Sequence, residues 1–132
     1  MGSTGAYLET GGFKWKGWED TGEKLCDLRV LKKITTNSNE TQALPFFSNT
    51  PGTAYVLLDE DGRFKQMIQY GENRKPALEL NYGPDNNVES FHIHRWINGV
   101  RQKAEIIASK KEGIVNMALY NKYKSFLKGI DL

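Results

Sequence analysis

The chain is poor in the residues that staple, export or embed a small protein. Its one cysteine, Cys26, excludes an internal disulfide and a cysteine zinc cage, and is compatible with a reducing compartment. Flanked by Leu25 and Leu28, that thiol reads as a buried structural group rather than a nucleophile. No run approaches the roughly 20 apolar residues of a membrane-spanning helix, so no membrane association is expected. The opening Met1-Gly2-Ser3-Thr4-Gly5 lacks the basic and apolar regions of a secretory signal. What remains, 132 residues with 39% hydrophobic and 26% charged, suits one domain able to bury a core without staples. Residues 1–132 are read as a single unit, with an ambiguous front, 1–43, and a readable sheet-plus-helix part, 44–132.

The net charge of +2 conceals an asymmetry. From Phe91 to Lys128, eight basic residues stand against two acidic ones, Glu105 and Glu112, while the remainder holds ten basic and fourteen acidic residues. A basic last third makes a polyanion such as nucleic acid a candidate partner, with Lys103, Lys110 and Lys111 as candidate substrate-binding residues. The same lysines also suit the solvated face of a terminal helix.

Patterning becomes regular toward the C-terminus. In the front, Gly11-Gly12-Phe13-Lys14-Trp15-Lys16 alternates like a short strand, and Leu25, Leu28, Leu31 and Ile34 recur at helical spacing behind the capping residues Asp20 and Thr21. The Leu44 to Gly52 stretch, with Pro45, Pro51 and the pair Phe46-Phe47, reads as a packed loop. Thr53 to Leu58 and Arg63 to Tyr70 alternate with period two around Asp59-Glu60-Asp61-Gly62, a hairpin. Strands at Ala77 to Tyr82 and Phe91 to Ile97 follow, separated by turn residues Gly83 to Asn87. Asn98-Gly99 is the signature of a type I′ turn, because both central residues need positive φ, so Val100 to Ile107 returns as a further strand. Val115, Leu119, Tyr123, Phe126 and Leu127 mark one face of a helix of about four turns. The predicted fold is α+β, a mostly antiparallel four- to five-stranded meander packed against a C-terminal helix.

The two histidines of the chain, His92 and His94, stand two apart in a predicted strand, which aims both, with Trp96, at one face. Phe91, Ile93 and Ile97 then form the core-facing set, and the histidines project from the less buried face. By the same alternation Leu78, Leu80 and Tyr82 face the core, and Glu79 and Asn81 join the histidines if the two strands pair. Such a face supports three readings. His92, His94 and Glu79 can ligate a divalent metal at an open site. His92 and His94 can instead act as a general acid/base pair at a phosphodiester, with Lys75, Arg95 and Arg101 meeting the developing charge and Trp96 contacting substrate. Or they are ordinary strand residues hydrogen-bonded to their neighbours.

From about Leu44 the order of features is a Pro-containing loop, Asp59-Glu60-Asp61-Gly62-Arg63, an alternating strand, and His92-Ile93-His94-Arg95-Trp96-Ile97-Asn98-Gly99-Val100-Arg101. This order resembles the His-x-His domain found at the C-termini of phage minor head proteins and bacterial polymorphic toxins, and in small prophage-encoded proteins. His92, His94, Trp96, Gly99 and Arg101 match its motif position by position, over a little under half of the chain. The resemblance implies a nuclease-like, toxin-type domain acting on nucleic acid in the bacterial cytoplasm or in association with phage, requiring no cofactor. Its alternatives are a non-catalytic phage accessory or assembly module with a protein partner, and a small metal-binding protein. The alternating acids of the motif are here Glu79 and Asn81, so a metal site built on two carboxylates lacks one of them, whereas acid/base chemistry is unaffected.

Overall fold

The computed structural model describes residues 18–33, 44, 48, 50–85 and 88–130. The strand expected at Gly11 to Lys16, and residues Ile34, Phe46 and Phe47, lie outside them. The described strands are β1 (Trp18–Leu25), β2 (Leu28–Lys33), β3 (Ala54–Leu58), β4 (Phe64–Tyr70), β5 (Pro76–Asp85), β6 (Val88–Ile97), β7 (Val100–Arg101), β8 (Glu105–Ser109) and β9 (Gly113–Ile114). They are followed by helix α1 (Met117–Tyr123) and a 3₁₀ turn (Lys124–Leu127). The α+β class holds, but nine strands form one sheet where four or five were expected. Its order is β1-β2-β3-β4-β5-β6-β8-β9, with β7 paired to β6, and every pairing is antiparallel except the parallel β2–β3 contact.

The extra strands come from three places. The predicted helix behind Asp20 is instead the β1–β2 hairpin, whose turn residues Cys26 and Asp27 both have positive φ (52° and 64°). Leu25 and Leu28 are register partners across that turn, so a two-residue turn reproduces the spacing of three that mimics a helix. Asp20 caps no helix; it accepts from Arg29 at 2.7 Å. Cys26, expected to be buried, sits exposed on this turn. The predicted strand from Val100 to Ile107 is split into β7 and β8, both pairing with β6. Last, β9 adds a short edge beside β8.

Other elements follow local chemistry closely. The Asp59 carboxylate accepts from the backbone N–H groups of Asp61 and Arg63, closing the β3–β4 turn. Asn98 and Gly99 have φ of 52° and 78°, as a type I′ turn requires. Strand β5 runs on through Gly83 and Pro84, where a turn was expected, to Asp85. A proline is tolerated there because the pairing with β4 ends at Asn81 and leaves β5 an outer strand on that side. The C-terminal helix is shorter than its pattern. Asn116 caps it by accepting from the Leu119 N–H, which leaves Val115 outside and exposed, and the last turn tightens to 3₁₀.

Both faces of the sheet are buried at its centre. On one face Val56, Met67, Leu80, Phe91, Ile93 and Ile107 pack with Phe126 and Leu127 of the 3₁₀ turn. On the other, Leu31, Tyr55, Leu57, Ile68 and Tyr70 pack with Leu44. Leu80 is fully buried at the centre of the first cluster, so Leu80→Ala is expected to cost about 3 kcal/mol. Exposed Ile114→Ala should stay within about 0.5 kcal/mol. Urea unfolding of the two variants checks this, with a lowered midpoint at unchanged slope expected only for the first.

Candidate functional site

The second face of the sheet changes character along its width. Cross-strand register sets two parallel rows on it: Tyr55, Ile68, Glu79 and His94 in one, and Leu57, Gln66, Asn81, His92 and Ile106 in the other. The β3–β4 end is apolar, and the β5–β6 end is polar. Strand pairing therefore places Glu79 opposite His94 and Asn81 opposite His92, the composite face anticipated from alternation. That face is not the open one expected. His92 and His94 are nevertheless buried, at 5% and 8% relative exposure, while Ile97, assigned to the core, is exposed at the hairpin tip.

Glu79 is the centre of the polar end. It is a buried carboxylate, and its Oε2 accepts from Trp96 Nε1 at 2.6 Å and from Arg101 Nε at 2.7 Å. Its Oε1 accepts from Arg101 Nη2 and Gln66 Nε2, both at 3.3 Å. Two donors on each oxygen fill the roughly four acceptor positions of a carboxylate. The metal alternative therefore does not fit as expected: Glu79 has no lone pair to offer, and no three His, Cys, Asp or Glu side chains converge on a metal position among the described residues. Arg101 balances the buried charge, so its guanidinium is held by Glu79 rather than standing alone.

The histidines are anchored through their Nδ1 atoms. His94 Nδ1 lies 2.8 Å from the Gln102 carbonyl, and since a carbonyl only accepts, Nδ1 carries the proton and the neutral ring presents its lone pair at Nε2. The same bond ties down the irregular connection between β7 and β8, which also donates from Gln102 N to Arg95 O. His92 Nδ1 lies 2.9 Å from Ser90 Oγ and 3.2 Å from the Ser90 carbonyl. The two rings meet edge to face, with centroids 5.4 Å apart.

A cleft of about 450 Å³ opens over this end of the face, lined by Gln66, Glu79, Asn81, His92, Trp96 and Arg101 among others. His92 reaches the cleft wall and His94 stands behind it, so the two imidazoles do not flank the opening symmetrically. Other candidates fall elsewhere. Arg95 is on the opposite face, as its position next to His94 in an alternating strand demands, and pairs with Glu105 at 2.8 Å. Lys75 is exposed in the β4–β5 connection, Lys103 follows β7, Lys110 pairs with Glu89 at 3.7 Å, and Lys111 lies in the β8–β9 turn. None of these four lysines lines the cleft. Sequence reasoning missed Gln66, Ser90 and Gln102. Gln66 breaks an otherwise apolar alternation from Phe64 to Ile68, a signal whose target emerges only once β4 is registered against β5.

Tyr70 lies on this face, stacked edge-on to Tyr55 at 6.0 Å. Burial, with the nearby Tyr55 and Glu79 adding to it, pushes its phenol well above the usual value of 10.0. No protein-family model, curated protein or solved structure matches the chain.

Two outcomes follow from these environments. The folded chain keeps the Tyr70 proton where the unfolded chain releases it, so stability is lost as pH rises beyond about 10. Thermal melting between neutral pH and about 11 should fall less steeply in Tyr70→Phe. Long-range ¹⁵N–¹H correlation of the imidazoles at neutral pH should show His94 with Nδ1 protonated; the opposite tautomer would remove its bond to Gln102.

Proposed function

We propose that the chain is a phage- or prophage-encoded, nuclease-like domain of toxin type that acts on nucleic acid at the cleft over β5 and β6. The observation that supports this reading is the convergence on one cleft wall of an imidazole, His92, a guanidinium, Arg101, and an indole, Trp96. These are the groups that phosphodiester transfer uses for proton movement, charge stabilisation and base contact. In this reading His92 takes the proton of the attacking hydroxyl as the new P–O bond forms. It returns that proton to the oxygen released when the old P–O bond breaks, while Arg101 meets the charge on the phosphoryl oxygens. His94, fixed by Gln102, supports the His92 ring from behind. A metal is not part of this route. Among the described residues no helix is long and apolar enough to cross a membrane. The site of action proposed is the bacterial cytoplasm or the phage particle.

A second reading, a non-catalytic phage accessory or assembly module, is favoured by one observation. Ile97 and Val100, register partners beside Trp96 at the β6–β7 tip, are 55% and 60% exposed.

Cleavage of labelled single-stranded RNA and DNA separates the two. Wild type is expected to cut at a rate unaffected by chelator, and His92→Ala/His94→Ala to lose at least about a hundredfold. Chelator-sensitive cleavage would return the metal alternative, and absence of cleavage in every condition would leave the accessory module.

A further inference from the structure

The cleft contains a carboxylate, which at first sight opposes the binding of a phosphate. Its geometry removes the conflict. Glu79 is saturated by its donors and faces Arg101 along the Nε–Nη2 edge of the guanidinium. A guanidinium has five N–H groups in a rigid plane, and this pairing uses one on Nε and one on Nη2. Nη1 has no hydrogen-bond partner among the described residues, and the side chain is 48% exposed. The Nη1–Nη2 edge, which points away from Glu79, is thus a planar fork of the kind that grips two oxygens of one phosphate. Beside it, the indole of Trp96 is tethered by its N–H to the same carboxylate oxygen that holds Arg101 Nε, and its ring lines the cleft.

We propose that Glu79 is a positioning residue acting through Arg101 and Trp96: it aligns the guanidinium edge as a receptor for one phosphate and the indole as a stacking platform for the base joined to it. The recognition element is then a single nucleotide within a single strand. This rests on the nucleic-acid reading of the cleft, and it assigns Glu79 neither a ligand-binding nor a proton-transfer role.

The sign of one substitution tests it. Glu79→Gln removes a negative charge from an anion-binding cleft, which by charge alone strengthens binding. If Glu79 works by alignment, the same change weakens it. Anisotropy of a labelled single-stranded hexanucleotide with the full-length chain is expected to show about tenfold weaker binding for Glu79→Gln, and a similar loss for Arg101→Lys, which keeps the charge but lacks the fork. The loss in the double variant should fall short of the sum of the two single losses, because part of the effect of Glu79 runs through Arg101 and the rest through Trp96. Trp96→Phe should abolish the ligand-induced quench of tryptophan emission. Melting curves identify any variant that fails to fold; if Glu79→Gln does, Arg101→Lys and Trp96→Phe decide.

Unchanged or tighter binding by Glu79→Gln, unchanged binding by Arg101→Lys, a quench that survives in Trp96→Phe, or inorganic phosphate competing as well as a nucleotide monophosphate would overturn the proposal. So would failure of wild type to bind the strand. Cleavage is read on the same strand. Cleavage that needs His92 while both polar variants bind normally overturns this inference and spares the nuclease reading; binding that needs Glu79 and Arg101 without any cleavage does the reverse.

Discussion

Removing a carboxylate from water costs several kcal/mol unless donors replace the lost hydration, and Glu79 sits near the middle of β5 with both neighbouring strands in place. Among the described residues its four hydrogen bonds come from three separate strands: Gln66 on β4, Trp96 on β6 and Arg101 on β7. The demand of that one buried charge reaches back to the turn. Arg101 arrives opposite Trp96 only because Asn98 and Gly99 adopt positive φ and fold β7 straight back on β6. A longer or looser connection would leave the guanidinium in solvent and the carboxylate buried without its cation.

The irregular segment after β7 has the same logic at smaller scale. Strand pairing lapses between Arg101 and Glu105, and the backbone groups released there need other partners. Gln102 supplies both halves of the answer: its N–H donates to Arg95 O and its carbonyl accepts from His94 Nδ1. His94 thus serves the backbone on one side and presents a defined nitrogen on the other. The 3₁₀ turn with Phe126 and Leu127 closes the opposite face of the sheet, and the cleft lies on the face that no described helix packs against.

Much of the back half is legible in the residues themselves. Asp59 to Gly62 and Asn98-Gly99 are turns whatever surrounds them, because their side chains and permitted φ values act within a few residues. The sharing of one face by Glu79, Asn81, His92 and His94 also follows from period-two geometry. The β1–β2 hairpin is not legible in this way, since a leucine on each side of a two-residue turn gives the spacing of a helical stripe, and only pairing with β3 chooses the strand. Burial of the histidines is likewise non-local. Alternation says which side chains share a face but not whether another layer covers that face.

The contrast between Arg95 and Arg101 shows where the boundary falls. From residue order alone both are cations close to the His-x-His, and both are candidates for a phosphate. Alternation already sends Arg95 to the face opposite His94, where it pairs with Glu105. Arg101 is assigned to Glu79, 22 residues away, by the stacking of β5, β6 and β7. The sequence by itself determined the turns, the strand periodicity and the two-sided division of side chains, because these depend on torsions and neighbours a few bonds apart. The tertiary structure alone decided that Glu79 accepts from Gln66, Trp96 and Arg101, that His92 lines the cleft while His94 stands behind it, and that Lys75, Lys103, Lys110 and Lys111 lie elsewhere. Those outcomes depend on which strands lie side by side, a choice made by burying two apolar faces across the whole sheet.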